Sequence, residues 1–249
     1  MIRSHYERWD NGLWLPATNR CVLRPKRLNT GVVAGGAASG GSAVTLNAAG
    51  TETYHAATTS LDYTGITVAA GANRALILTL SFGTGPTSVT PTSLTAVWDN
   101  GGTNQSMSYI IDGGAGFVLG RNCFLFGLVA PTTGNKTLHI AWTNSCEIFP
   151  CAIAFNGVNQ TGGATSFAHS AFASGANTVT ITSATGNKVV ACQAATVAQG
   201  TPTGTQLFDD HANGSFINAQ GEYDNGAATV AIGSSGTNSP VVGVDVVAA

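Results

Sequence analysis

Residues 121–160, RNCFLFGLVAPTTGNKTLHIAWTNSCEIFPCAIAFNGVNQ, carry the reading that decides the fold class. Cys123 to Val129 is a mostly apolar run. It is followed by Ala130-Pro131-Thr132-Thr133-Gly134-Asn135, where Pro presets φ and Gly and Asn tolerate positive φ, as a turn requires. In the next run Leu138, Ile140 and Trp142 alternate with His139, Ala141 and Thr143, the period of a strand with one buried face. Asn144-Ser145 is a polar break that predicts a strand end. A third run sends Cys151, Ile153 and Phe155 one way and Ala152 and Ala154 the other, closing at Asn156-Gly157. Three successive strands of this kind predict the core of a sheet, not an active site.

The composition extends that reading to the whole chain. Of 249 residues only 9% are charged and 32 are Gly. Lys, Glu and Leu are scarce, and no window of a dozen residues holds a 3.6-residue apolar period, which excludes a helical domain. The net charge of −2 hides an asymmetry. Residues 1–28 hold six basic side chains (Arg3, Arg8, Arg20, Arg24, Lys26, Arg27) against two acidic ones (Glu7, Asp10), a balance of +4; the remainder is −6. A basic arm on a mildly acidic body fits an acidic protein surface, with nucleic acid the lesser reading because aromatics and acids interrupt the charge. The apolar runs are short and broken, so no membrane span is expected, and MIRSHYERWDNGLW has the character of neither a span nor a secretory signal.

Taken in order, residues 1–30 form an anchoring arm with Trp9, Trp14 and most of the positive charge, and without strand or helix period. Residues 31–42, GVVAGGAASGGS, have linker composition. The body, 43–249, begins with short edge strands near Val44, Leu46 and 54–70. Arg74 to Phe82 follows, with Leu76, Leu78, Leu80 and Phe82 on one face and Ile77, Thr79 and Ser81 on the other. Asp99-Asn100-Gly101-Gly102 is a hairpin signal. After Gln160 a polar, Gly-rich crossing is expected, then strands at Thr178–Thr182, Lys188–Val197, Thr205–Phe208, Ile217–Tyr223, Ala227–Ile232 and Pro240–Val247, with Asp209 to Ser215 as an exposed loop. Ten to twelve short strands at this spacing predict an all-β, two-sheet antiparallel sandwich, jelly-roll-like, with an irregular N-terminal arm.

The order ANRALILTLSF, LTAVWDNGG, CFLFGLVAPTTGNKTLHIAW, AIAFNGVNQT and NTVTITSATGNKVVACQAA resembles a β-sandwich module of tailed-bacteriophage structural proteins and bacterial surface proteins. The most specific pieces are Leu128–Thr137 and Gly157–Thr161, and the likeness spans about residues 65–249. It implies a jelly-roll-like binding or assembly module and transfers no catalytic residue.

The candidate chemistry is sparse. His5, His55, His139, His169 and His211 show no ligand spacing, so no metal site and no cofactor is expected. His139 reads as solvent-facing. Asp209, Asp210 and His211 with Glu222 and Asp224 make the densest polar cluster, readable as a cation or acid/base site but more simply as a solvated loop tip. Trp98, Tyr109 and Tyr223 are candidate sugar-stacking aromatics, and with Asp209, Asp210 and His211 they define a candidate ligand face. Cys21, Cys123, Cys146, Cys151 and Cys192 form no CxxC pair; Cys151 and Cys192 sit at apolar strand positions, and a disulfide involving Cys123 or Cys146 cannot be assigned from spacing.

These readings converge on a non-enzymatic virion structural protein, assembled in the host cytoplasm. Its partners would be capsid, neck or tail proteins, contacted through Trp9, Trp14, Arg20, Arg24, Lys26 and Arg27, and it would act as a homo-oligomer. The alternative is an extracellular or cell-surface adhesin or receptor-recognition module that binds host-surface glycans. An enzyme on a jelly roll is the third reading and has no motif behind it.

Overall fold

The computed structural model describes residues 6–8, 14–16, 42–83, 91–114, 120–195, 198–210, 217–234 and 239–249. Contacts divide the chain into two units, Met1–Gly40 and Gly41–Ala249. In the first, β1 (Tyr6–Arg8) pairs antiparallel with β2 (Trp14–Pro16), Tyr6 opposite Pro16 and Arg8 opposite Trp14. Trp9, Arg20, Arg24, Lys26 and Arg27, the Trp14 side chain, Cys21 and residues 31–41 of the 31–42 linker lie outside the described residues.

The second unit is all-β, as its alternating pattern requires. Its larger sheet has eight strands: β3 (Thr45–Ala49), β4 (His55–Tyr63), β6 (Ala75–Gly83), β7 (Thr92–Trp98), β8 (Gln105–Ser106), β9 (Ser108–Asp112), β10 (Arg121–Val129) and β12 (Leu138–Asn156). The main path runs β8-β7-β12-β6-β10-β9, with β3 and β4 also on β12. Two short strands, β5 (Thr67–Val68) and β11 (Gly134–Asn135), pair with each other. The second sheet has five strands in the order β13 (Phe167–Ala176), β19 (Ser239–Val246), β15 (Lys188–Ala195), β17 (Asn218–Asn225), β16 (Thr205–Asp210). A separate ribbon joins β14 (Thr178–Thr182) to β18 (Thr229–Gly233). Every pairing is antiparallel, and each large sheet takes its strands from one half of the unit.

Two expectations are corrected here. Asn144-Ser145 does not end a strand: β12 runs 19 residues through it. Its first half lies between β4 and β7, and its second half pairs with β6. The handover is possible because Asn144 takes a left-handed φ of 68°, which Asn tolerates, so the register slips at a bulge and the ladder resumes. The crossing after Gln160 is likewise mostly strand, because β13 holds ten residues on the edge of the five-stranded sheet.

The register explains the layering. The larger sheet is curled into a half-barrel. On one face Leu76, Leu78, Leu80, Phe82, Phe126 and Ile140 join Trp98 and Trp142 in one apolar cluster. On the other, Ile77, Leu125, Ile153 and Phe155 meet Val190, Val242, Val244 and Val246 of the five-stranded sheet. That sheet's far face, with Val189, Ala191 and Val241, is covered by Val179, Ile181, Val230 and Ile232 of the ribbon. So β6, which reads as a strand with one polar face, is buried on both: Thr79 donates to Cys151 O at 2.9 Å and Ser81 to Gln193 O at 3.1 Å, which lets hydroxyls sit in the core.

Candidate functional site

The richest polar arrangement lies on the outer face of the five-stranded sheet, where residues 199–204 cross β17 as a strap. On β15 and β17 the inward side chains are Val190, Cys192, Ala219 and Tyr223; alternation therefore turns Gln193, Gln220 and Glu222 outward, under the strap. Gln193 Nε2 donates to Gln220 Oε1 at 2.7 Å and to the Ser234 hydroxyl, and the Ser234 hydroxyl donates to Gln199 Oε1 at 3.1 Å. Gln220 Nε2 holds Gly200 O at 3.2 Å. All four side chains are buried, and the hydrogen bonds among them stand in for water except at Gln193 Oε1, which has no partner among the described residues.

Glu222, 2% exposed, pins the strap's far end. Its Oε2 accepts from Gly204 N at 2.7 Å and from the Thr203 hydroxyl at 3.4 Å, while Thr203 N donates to Gly233 O at 2.8 Å. Burial pushes the Glu222 carboxyl up to about 7, against the pull of the hydrogen bonds from Gly204 and Thr203. Beside the strap a shallow depression of about 420 Å³ is lined by Gln199, Gly200, Thr201, Pro202, Gln206 and Asp209. What converges here is amide, hydroxyl and carboxylate, groups that donate to and accept from the hydroxyls of a polyol.

The residues expected to form a ligand face are not brought together. Trp98 is 0% exposed and its Nε1 donates to Thr132 O at 3.0 Å, so it presents no ring to a ligand. Tyr109 is on the edge strand β9, 53% exposed, its ring edge-on to Phe126 at 5.7 Å. Burial of its inner part and the neighbouring Asp112 push its phenol up to about 12. It borders a small cleft with Ile110, Gly163 and Phe167. Tyr223 faces the sandwich core, edge-on to Phe155 at 6.3 Å, with Lys188 Nζ 5.6 Å from its ring centre. Asp209 does line the depression, opposite Gln220. Asp210 extends β16 opposite Ala219, two residues beyond the strand end read from the sequence, and its side chain and His211 lie outside the described residues.

Other candidates resolve locally. His139 is half-buried and its Nδ1 meets Asp62 Oδ1 at 2.7 Å. Among the described residues no group of three or more His, Cys, Asp or Glu is placed to hold a metal ion, and no helix is long and apolar enough to cross a membrane. The glutamine network was missed by sequence reasoning, although it has a signal: Gln193 in KVVACQAA and Gln220 in INAQGEY are amides inside otherwise apolar strands. Comparison with protein-family models, with curated proteins and with solved structures gives no match for this chain.

Proposed function

We propose that this chain is a non-enzymatic structural protein of a tailed-bacteriophage particle, attached through residues 1–30 and displaying its β-sandwich. The observation that carries the reading is the segregation of charge: six of the ten basic side chains fall in residues 1–28, next to Trp9 and Trp14, while the remainder is acidic. Aromatic and guanidinium side chains are the groups that dominate protein interfaces, and a positive segment is steered to an acidic surface. Repeated copies on a particle would add avidity. The motif order that resembles phage and surface-protein sandwiches supports the same reading. The test is deletion of residues 1–30: the expected result is a folded sandwich that no longer joins particles, and normal incorporation of the shortened chain overturns the reading.

A second reading, a glycan-binding surface, is favoured by the amide and carboxylate lining of the depression beside Gln206 and Asp209. On a glycan array it expects hits that Gln206→Ala removes. An array without hits rejects it.

A further inference from the structure

We propose that Cys123 and Cys192 are the two halves of an inter-sheet disulfide, closed when the protein meets a disulfide oxidant and locking the curled sheet to the five-stranded one. The geometry points to this pair. Cys123 lies on β10 of the larger sheet and its Sγ donates across the interface to Pro240 O, at the start of β19, at 3.3 Å. Cys192 lies on β15 of the smaller sheet and its Sγ reaches back to Phe124 O of β10 at 3.9 Å. Each sulfur thus crosses the interlayer gap to touch the other's sheet: Phe124 is the residue next to Cys123, and Val242, opposite Cys192 on β19, lies two residues from Pro240. Both are buried thiols in the same apolar cluster.

The other described cysteines are placed differently. Cys151 also faces the smaller sheet, in a cluster with Ala194, Phe208 and Ala219, but its Sγ is directed at Gly50 O (3.8 Å) and Ala152 O (3.9 Å) on its own sheet's side of the gap. Cys146 is in the cluster on the opposite face of the larger sheet. Closure with oxidised glutathione balances in two exchanges. One cysteine thiolate attacks a glutathione sulfur and expels glutathione thiolate, leaving a mixed disulfide; the second thiolate then attacks the protein sulfur and expels the other. The protein gives up two electrons and two protons, and two reduced glutathiones leave. Burial holds the Cys123 thiol protonated, so the reactive thiolate forms when the sheets open or before they close. A reducing compartment therefore leaves the dithiol intact, and an oxidising one captures it during folding or breathing.

The test is to refold reduced, unfolded full-length protein in glutathione buffers of rising oxidised fraction, then map its peptides without reduction. The expected result is a Cys123–Cys192 linked peptide, loss of two hydrogens from the chain, and a rise in Tm on the order of 5 °C over the reduced protein. Cys123→Ser and Cys192→Ser should each abolish peptide and rise, and Cys151→Ser should keep both. Should the serine variants not fold, the wild-type map decides alone. Linkage through Cys21, Cys146 or Cys151, or full alkylation of both Cys123 and Cys192 after the most oxidising refold, overturns the proposal.

Discussion

A carboxyl group held under a backbone strap, as Glu222 is, resists ionisation because the charged form would lose water that two hydrogen bonds only partly replace. The sign of the consequence follows from the direction of the shift. Burial holds the folded carboxyl at about 7 against its ordinary value of 4.5, so between those pH values the folded chain binds the extra proton. Stability then falls as pH rises through that window and is lowest, on this account, above it. At about 1.4 kcal/mol per pH unit the effect is on the order of 3 kcal/mol. Asp245, raised by burial despite hydrogen bonds from Ser183 at 2.6 Å and Asn187 at 2.8 Å, acts in the same direction. Glu222→Gln keeps an acceptor for Gly204 N while removing the charge. Thermal denaturation should therefore show the variant more stable than wild type at pH 8 and nearly equal at pH 5; a wild-type Tm that climbs from pH 5 to pH 8 would contradict the assignment.

At the scale of elements the decisive one is β12, since four other strands of the larger sheet pair along its length. Its continuity hangs on Asn144, exposed and left-handed. Asn144→Gly keeps that φ accessible, whereas Asn144→Val puts a β-branched side chain where it is strained by roughly 1–2 kcal/mol. Chemical denaturation should rank wild type and the glycine variant together above the valine variant; equal midpoints for all three would show that the bend does not depend on this residue. The same element shows what was legible beforehand. Alternation in Leu76–Phe82, Leu138–Trp142 and Thr178–Thr182 is a local property of sequence, and those strands lie where it places them. Whether a polar dipeptide ends a strand or merely bends it depends on partners distant in the chain, and the pairing of β12 with β6 and β7 is invisible in residues 144–145. β13 was illegible for a related reason: it is an edge strand with a mostly solvated face, so FAHSAFASGA lacks the apolar alternation by which strands are recognised. Likewise Trp98 and Tyr109 look equivalent as candidate sugar-stacking aromatics, but only the curl of the sheet puts one in the core and leaves the other on an edge.

For the sandwich as a whole, the division of strands invites the expectation of two independent halves, since residues 42–156 make the larger sheet and 157–249 the smaller sheet and the ribbon. The apolar surfaces argue otherwise. The larger sheet is apolar on both faces: curling satisfies only the face of Leu76, Leu78, Leu80 and Phe126, and leaves that of Ile77, Leu125, Ile153 and Phe155 dependent on Val190, Val242, Val244 and Val246. Packing further excludes a stand-in by solvent or a loose partner. A methyl group at Gly127 of β10 would lie 2.5 Å from the Phe167 ring of β13, so the sheets approach with no spare room. Four buried large apolar side chains at roughly 1.5–3 kcal/mol each make an uncovered face comparable to the whole stability of a domain. Neither fragment should therefore fold alone. Produced separately, 42–156 and 157–249 should be insoluble or lack dispersed amide resonances, while refolding them together should restore the native spectrum; a well-dispersed spectrum from 42–156 alone would show that the half-barrel closes without its partner sheet.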